Sequence, residues 1–172
     1  MDFFEAVAQR GSYREEFLAE AVAQADLTQI LTAGIRAPSG YNYQTPTFVA
    51  VTDKALLGQI AELMPTKATR TAPAMIVILS EFKQAETGLS FEIEDYAAAA
   101  ENILLAITAL CYAGVWMDGM TKLDNNREKL ELLLNVPEGK HVRTLIPFGR
   151  PAKPVVQKEK LPFSERVSFN RF

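Results

Sequence analysis

The chain has 172 residues, of which 48% are hydrophobic, and this size and composition fit one compact domain with a substantial core. Its formal net charge of -3 disfavours generic nucleic-acid binding, because proteins that bind phosphate backbones usually present a basic face that displaces condensed counterions. The single cysteine, Cys111, excludes a disulfide within the chain, and its apolar neighbours predict a buried thiol in a reducing compartment.

Two further absences narrow the function. His141 is the only histidine, so neither a zinc-type cluster nor a histidine-based triad is evident. The first ten residues carry early acids and lack the basic start and apolar core of a signal peptide. We therefore expect a cytoplasmic protein that is not bound to a membrane.

The N-terminal part of the chain predicts two helices and a loop. Apolar residues at helical spacing in residues 3–8 predict a first helix, and Gly11 then breaks it and frees the backbone for a close approach. Asp26 with Gln29 resembles a capping box for a second helix, which Pro38 ends. The stretch PSGYNYQTP, which begins at that proline, is rich in turn formers and amides and predicts a loop.

Three strand patterns and two capped helices follow. FVAVT at 48–52 predicts a strand, Asp53 then caps a helix, and APAMIVILS at 72–80 is the strongest strand pattern. Asp124 is the predicted cap of another helix, and VRTLIPFG at 142–149 predicts the last strand of the sheet. Because helices and strands interleave without regular strand-helix-strand units, the pattern predicts an α+β layer structure rather than a doubly wound one.

An apolar stretch from Tyr96 to Met117 raises the question of a membrane span. Glu101 interrupts it, and its alanines and glycine keep its hydrophobicity modest. A helix that is apolar on most faces is typical of a central helix or a subunit contact, so we predict a buried helix over roughly 94–115.

The chain as a whole, 1–172, predicts a single domain, because no internal repeat or interdomain linker divides it. The tail at 150–172 combines prolines, alternating charge and three late phenylalanines. We expect it to be an extended C-terminal arm that lies on another surface rather than a free coil.

The segment QRGSYREEF places Arg10, Ser12 and Arg14 at alternating positions. In an extended chain these side chains share one side, and Gly11 removes a side chain from the same place. A pair of arginines near a helix end is commonly a solvated surface, but two guanidinium groups with a hydroxyl also suit an anion such as a phosphate monoester. Neither a Walker-type nor a Rossmann glycine motif is present, so a phosphate would be held in another way.

The predicted loop carries a second polar cluster, formed by Pro38, Ser39, Gly40, Asn42 and Gln44. A turn-rich connection between a helix and a strand explains these residues without any function. Alternatively, the two amides offer a donor and an acceptor together, which matches a flat heterocycle with carbonyls and ring nitrogens. In the tail, Lys158 and Lys160 taken alone indicate solvated charges.

Four segments in register resemble the FMN-dependent nitroreductase family: QRGSYREEF, AGIRAPSGYNYQTPTFVAV, NILLAITALCYAGVWMDG and a terminal KEKLP. The likeness spans nearly the whole chain. It implies a three-layer α+β fold, in which a mostly antiparallel central sheet is flanked by helices. It also implies an intertwined homodimer with two FMN molecules at the subunit interface, where the long apolar helix resembles the dimer-contact helix.

The resemblance assigns the basic residues to the FMN phosphate. Arg10, Ser12 and Arg14 match the family segment that holds the phosphate and the ribityl chain. Lys158 and Lys160 resemble the late basic pair that closes on the phosphate. Lys67 lies in a region that cannot be aligned securely, and it remains an open candidate.

The resemblance assigns other residues to the flavin ring. The family loop that reaches the flavin from the partner subunit is matched by Pro38, Ser39, Gly40 and Asn42, and Gln44 falls in the family's Asn-x-Gln pattern. Asp118 and Gly119 match a position where backbone amides lie near the isoalloxazine N5. Two departures stand out: many members have Gln-Pro-Trp where this chain has Gln-Thr-Pro, and Gly40 replaces a frequent serine.

The function implied is an FMN-dependent NAD(P)H oxidoreductase that reduces nitroaromatic or quinone-type acceptors by ping-pong hydride transfer. NADH or NADPH is the co-substrate, and because the cofactor performs the redox step, we assign no catalytic side chain and no metal. The alternatives are a flavin-binding redox sensor or storage protein with slow turnover, and another branch such as a deiodinase, a flavin-fragmenting enzyme or an enoate-like reductase. A third alternative is an α+β domain that binds no flavin.

Overall fold

The protein contains seven α-helices and four β-strands, and the computed structural model describes all residues from Met1 to Phe172. Two 3-10 helices span Gly40–Asn42 and Met120–Lys122. The other elements in chain order are α1 (Phe3–Gln9), α2 (Gln24–Ile35), β1 (Pro46–Val51), α3 (Lys54–Leu63), α4 (Lys67–Thr71), β2 (Ala74–Glu81), α5 (Glu92–Ala109), β3 (Ala113–Gly114), α6 (Asn126–Leu133), β4 (Lys140–Gly149) and α7 (Phe163–Arg166).

The four strands form one antiparallel sheet in the order β1-β2-β4-β3, with helices on both faces. Because side chains alternate along a strand, β2 serves two cores at once. Its Met75 and Val77 pack with residues of α3 and α6, whereas Ile76 and Ile78 pack with residues of α2 and α5. The predicted α+β fold, with an antiparallel sheet between helical layers, is confirmed.

The predicted strands at 48–52, 72–80 and 142–149 correspond to β1, β2 and β4, and their ends agree within two residues. The predicted cap of α3 is also present. The Asp53 carboxylate accepts a hydrogen bond from the backbone N–H of Leu56 at 2.9 Å, which satisfies one of the free donors at the start of the helix.

The predicted capping box of Asp26 and Gln29 is wrong. Helix α2 begins at Gln24, two residues before Asp26, and has no side-chain cap. The Asp26 carboxylate instead accepts a hydrogen bond from the hydroxyl of Tyr112 at 2.8 Å. Burial of the phenol, followed by the hydrogen bond to this carboxylate, raises the pKa of Tyr112. A tertiary contact across the fold therefore outcompetes the local cap.

The predicted cap at Asp124 is wrong as well. Helix α6 begins at Asn126, and its N-cap residue, Asn125, makes no side-chain capping bond. Asp124 and Asn125 have φ angles of 50° and 55°, in the left-handed region, whereas a residue that caps a helix through its side chain ordinarily has an extended backbone. The start of the helix is held instead by the amide of Asn126, which donates to the carbonyl of Met120 at 3.0 Å.

Helix α5 ends before the position that the apolar pattern predicts. The N–H of Tyr112 donates to the carbonyl of Ile107 and the N–H of Cys111 donates to that of Thr108, both at 2.9 Å, which is the Schellman pattern. Cys111 occupies the left-handed position of this motif, with a φ of 60°, although glycine is the usual residue there. The turn directs its side chain outward, so Cys111 is exposed and the predicted buried thiol is wrong.

The buried face of α5 packs against the sheet and α2. Ala100, Ile103, Leu104 and Ile107 belong to the core on that side. No helix in the fold combines the length and the apolar character that crossing a bilayer requires. The role of α5 as a subunit contact stays a prediction.

The C-terminal arm, 150–172, leaves β4, forms one isolated antiparallel bridge between Pro151 and Phe17, and has no further helix or strand except α7. Its root is held by Arg150, whose guanidinium lies over the ring of Tyr112 at 4.2 Å and donates to the carbonyl of Cys111 at 2.9 Å. Several large apolar side chains farther along are exposed, namely Leu161, Phe163, Phe169 and Phe172. The intertwined homodimer, in which such an arm lies on a partner, stays a prediction.

Two leucines of α6 allow a matched test of the core around this sheet. Leu130 is fully buried, whereas Leu132 is 82% exposed on the same helix. We expect Leu130→Ala to lower the free energy of unfolding by about 2–5 kcal/mol, because it leaves a cavity in the core. Leu132→Ala is expected to change it by less than about 0.5 kcal/mol. Denaturant unfolding at one protein concentration measures both, and equal effects would contradict this packing.

Candidate functional site

The segment after α1 runs along the edge of the sheet as an extended chain. Ser12 forms a parallel bridge with Gly114, and the N–H of Tyr13 donates to the carbonyl of Gly114 at 3.0 Å. Gly11 and Tyr13 are buried, whereas Ser12 and Arg14 are exposed. The alternation expected from the sequence is therefore present, and it directs the polar side chains away from the core.

The C-terminal arm returns to this segment and packs closely against it. The side-chain amide of Gln157 donates to the carbonyls of Arg10 at 2.7 Å and Val7 at 3.2 Å. A Cβ atom at Gly11 would lie 2.9 Å from Cγ1 of Val155 and 3.1 Å from the carbonyl oxygen of Val156. The close approach that the sequence predicted at Gly11 is thus made by the arm.

This contact creates a cationic pocket of about 200 Å³ between the two ends of the chain. It is lined by Arg10, Gly11, Ser12, Arg14, Val156, Gln157, Lys158 and Lys160. No acidic side chain lines it, so four cations and a hydroxyl face the same space. One cation has a partner outside the lining, because Nε of Arg10 lies 3.4 Å from Oε1 of Glu101 on α5.

A second cavity of about 320 Å³ shares Arg14 with the cationic pocket. Its lining includes Asp118, Gly119 and the only tryptophan of the chain, Trp116. The backbone N–H groups of Asp118 and Gly119 take part in none of the backbone hydrogen bonds of the turns and loops. The Asp118 carboxylate accepts a hydrogen bond from Lys122 at 2.8 Å, which raises the pKa of that lysine.

The loop that carries the predicted ring contacts has an unusual backbone. Tyr41, Asn42 and Gln44 have φ angles of 51°, 55° and 50°, in the left-handed region. Each such residue costs about 1–3 kcal/mol and persists only where the surroundings hold it. One local restraint is the hydroxyl of Ser39, which accepts a hydrogen bond from the N–H of Gln44 at 3.1 Å.

The stronger restraint comes from Asp95 on α5, a residue that sequence reasoning missed. Its carboxylate is buried and accepts hydrogen bonds from the N–H of Gly40 at 2.8 Å and from the hydroxyl of Thr45 at 2.7 Å. A Cβ atom at Gly40 would lie 2.6 Å from the side chain of Phe91, so glycine fits here and serine does not. The one sequence signal for Asp95 is its position directly before the apolar stretch that begins at Tyr96.

The loop and the cationic pocket are not brought together within one chain. Pro38, Ser39 and Gln44 line a separate cavity of about 440 Å³ at the junction of α2 and β1. The cationic pocket is lined only by residues 10–14 and 156–160. A single site formed by both therefore needs a second copy of the chain, and that arrangement stays a prediction.

Lys67, the open candidate, is engaged elsewhere. Its ammonium lies 2.9 Å from Oε2 of Glu15, and Lys153 lies 3.3 Å from the same oxygen. The hydrogen bonds from Lys67 and then from Lys153 hold the pKa of Glu15 below its ordinary value. The hydrogen bond to Glu15 raises the pKa of Lys67 in turn.

Comparison with known proteins defines the class. The profile of the nitroreductase family matches residues 7–69 and 61–150, and the chain belongs to this family. A protein of Methanothermobacter thermautotrophicus named "Putative NADH dehydrogenase/NAD(P)H nitroreductase" is 30% identical over 154 residues, which cover 89% of this chain and 79% of that protein. The family resemblance predicted from the sequence is confirmed.

Solved structures show the same fold. A protein of the same name from Bacteroides thetaiotaomicron superposes with a TM-score of 0.84 at 26% identity, covering 99% of this chain and 98% of that one. The NADPH:FMN oxidoreductase of Vibrio harveyi, solved with NAD+, superposes with a TM-score of 0.83 at 23% identity. In that comparison 99% of this chain and 77% of the other are covered.

The contact at Gly11 makes a testable prediction. Gly11→Ala is expected to displace the arm, because the new Cβ would lie 3.1 Å from the backbone carbonyl oxygen of Val156. Tryptic cleavage after Lys158 and Lys160 should then be several-fold faster, as expected for a locally opened segment. Mass spectrometry of the early fragments measures this rate.

Gly58 in α3 provides the matched control, since a Cβ there would meet no atom within 4 Å. Gly58→Ala should leave cleavage of the arm unchanged and stabilise its helix by about 0.5–1 kcal/mol. Equal cleavage rates for the wild type and Gly11→Ala would contradict the packing described above.

Proposed function

We propose that the protein is an FMN-dependent NAD(P)H oxidoreductase whose cationic pocket holds the FMN phosphate. The observation that carries this proposal is the meeting of Arg10, Arg14, Lys158 and Lys160 around one small space that has no acidic lining. Four positive charges repel one another unless an anion lies between them. A phosphate monoester carries a charge of about -1.5 to -2 at neutral pH and offers several strong acceptor oxygens.

The chemistry of the lining fits this ligand in detail. Guanidinium groups bind phosphate oxygens in a bidentate manner, and ammonium groups bind them as point charges. The hydroxyl of Ser12 lies between the two arginines in sequence and is exposed on their side. It is placed to bind a phosphate or ribityl oxygen. The name of one similar solved structure, an NADPH:FMN oxidoreductase, includes this ligand, and the name of the relative that contains NAD(P)H nitroreductase supports the nucleotide co-substrate.

The remaining candidates are proposed to contact the flavin ring. The cavity with Asp118 and Gly119 adjoins the phosphate pocket through Arg14, and their backbone N–H groups are suited to the ring nitrogen N5. The loop with Pro38, Ser39, Gly40, Asn42 and Gln44 is proposed to reach the ring from the partner subunit of a homodimer. Its amides match the carbonyls and nitrogens of the ring edge.

When bound, FMN supplies the hydride acceptor and donor that connects NADH or NADPH with a nitroaromatic or quinone acceptor. The chain contributes placement and electrostatics. Arg10 and Arg14 would hold the phosphate end, and the backbone N–H groups of Asp118 and Gly119 would favour added negative charge on the ring. No side chain is proposed to transfer a proton in the hydride step, and the two substrates use one pocket in turn.

Removing one guanidinium tests the phosphate assignment. Arg14→Gln is expected to raise the Kd for FMN at least tenfold, because it removes a charge-assisted hydrogen bond to the phosphate, and to raise the Kd for riboflavin, which has no phosphate, by a much smaller factor. Quenching of flavin fluorescence measures both constants. Arg127→Gln, on α6 beside Glu128, is the matched control and should change neither constant. An equal loss for both flavins would contradict the assignment.

The redox activity has its own test. With FMN bound and oxygen excluded, NADH or NADPH should bleach the visible flavin absorption, and a quinone added afterwards should restore it. A ping-pong pattern of parallel double-reciprocal lines is expected in the steady state. A yellow protein that neither nucleotide bleaches would refute the oxidoreductase, and a protein that takes up no FMN would refute the cofactor.

A further inference from the structure

The first turn of α5 contains two buried carboxylates that bind different parts of the chain. Glu92 is 8% exposed and Asp95 is 3% exposed. Buried carboxylates are costly unless they are fully hydrogen-bonded, so each must have specific partners. The partners of one lie in the sheet, and those of the other lie in the loop at 39–45.

Glu92 attaches the helix to the sheet. Its carboxylate forms an ion pair with Arg143 of β4 and also accepts a hydrogen bond from the hydroxyl of Ser80 on β2 at 3.4 Å. Nε of Arg143 donates to the same Ser80 hydroxyl at 2.7 Å. The start of α5 is therefore fixed with respect to the two central strands.

Asp95 then attaches the loop to the helix. One carboxylate oxygen accepts the N–H of Gly40, and the other accepts the hydroxyl of Thr45. These two donors flank the left-handed residues of the loop, Tyr41, Asn42 and Gln44. Because both oxygens are used, the carboxylate restrains both ends of the segment at once.

The surroundings of Asp95 indicate that a carboxylate occupies this position because it restrains the loop. Asp95 takes part in no ion pair, and its partners are a backbone amide and a hydroxyl. An apolar residue would fill the space without the cost of burying a charge. A carboxylate at this position is useful because it accepts two hydrogen bonds from groups that differ in direction.

We propose that Asp95 is a positioning residue that presets the loop at 39–45 for contact with the flavin ring, acting through Gly40 and Thr45. This inference rests on the proposed function and adds to it a residue that touches no ligand. A loop held in its binding geometry before the ligand arrives avoids the cost of ordering on binding. Loss of the restraint should therefore weaken binding of the ring rather than of the phosphate.

The test uses Asp95→Asn, Thr45→Val and Thr45→Ser in the full-length protein, with Glu94→Gln as the control. Asparagine retains one acceptor oxygen but presents an NH2 group to the second donor, valine removes that donor, and serine keeps it. Glu94 directly precedes Asp95 on the same helix. Its side chain is exposed and has no assigned role. The Kd values for FMN and riboflavin are measured for each variant, together with its melting temperature.

We expect Asp95→Asn and Thr45→Val to raise the Kd for FMN and for riboflavin by the same factor, about tenfold, which is typical of losing one hydrogen bond to a charged group. Thr45→Ser should keep both constants within twofold of the wild-type values, and Glu94→Gln should bind both flavins as the wild type does. This equal loss for both flavins differs from the loss expected for Arg14→Gln, which weakens the binding of FMN much more than that of riboflavin.

The outcomes separate the two proposals. If the wild type binds FMN but Asp95→Asn and Thr45→Val bind both flavins as well as it does, the positioning role is overturned and the proposed function stands, even where their melting temperatures fall. If the wild type binds neither flavin, both are overturned. If Asp95→Asn does not fold, the comparison of Thr45→Val with Thr45→Ser decides, and equal constants for these two overturn the positioning role.

Discussion

The candidate site depends on one contact between the two ends of the chain. The amide of Gln157 donates to the carbonyl of Val7 in α1 and to that of Arg10 just after it, and Gly11 leaves no side chain to keep the arm away. Only because these segments touch do the lysines of the arm face the arginines of the N-terminal segment. The sheet also holds the N-terminal segment in place, because the backbone N–H of Tyr13 donates a hydrogen bond to the carbonyl of Gly114 in β3.

The contact between the chain ends matters for the proposed function because it brings four positive charges together. Bringing four cations into one small space is unfavourable in the absence of an anion. Glu101 pairs with Arg10, and it offsets the charge of none of the other three cations. A bound phosphate would relieve this repulsion and would draw both chain ends together. The pocket is therefore expected to couple cofactor binding to the packing of the arm, because a ligand that binds only the folded form stabilises it.

Much of this molecule could be predicted from local patterns, and the failures have a common cause. The three main strands and the outward direction of Ser12 and Arg14 follow from alternation, which a single segment displays. The two failed caps, the early end of α5 and the exposure of Cys111 depend on tertiary contacts or left-handed turns with no local signature. Asp95 escaped prediction for the same reason, because its partners Gly40 and Thr45 lie 55 and 50 positions away.

The most direct test of the central claim is a crystal structure of the protein grown with FMN. The account predicts two flavins in a homodimer, with each phosphate within hydrogen-bond distance of Arg10 and Arg14 and of the ammonium groups of Lys158 and Lys160. It also predicts that the loop of the partner subunit touches the ring. A phosphate bound elsewhere, or a cationic pocket that remains without an anion while FMN binds at another place, would contradict it.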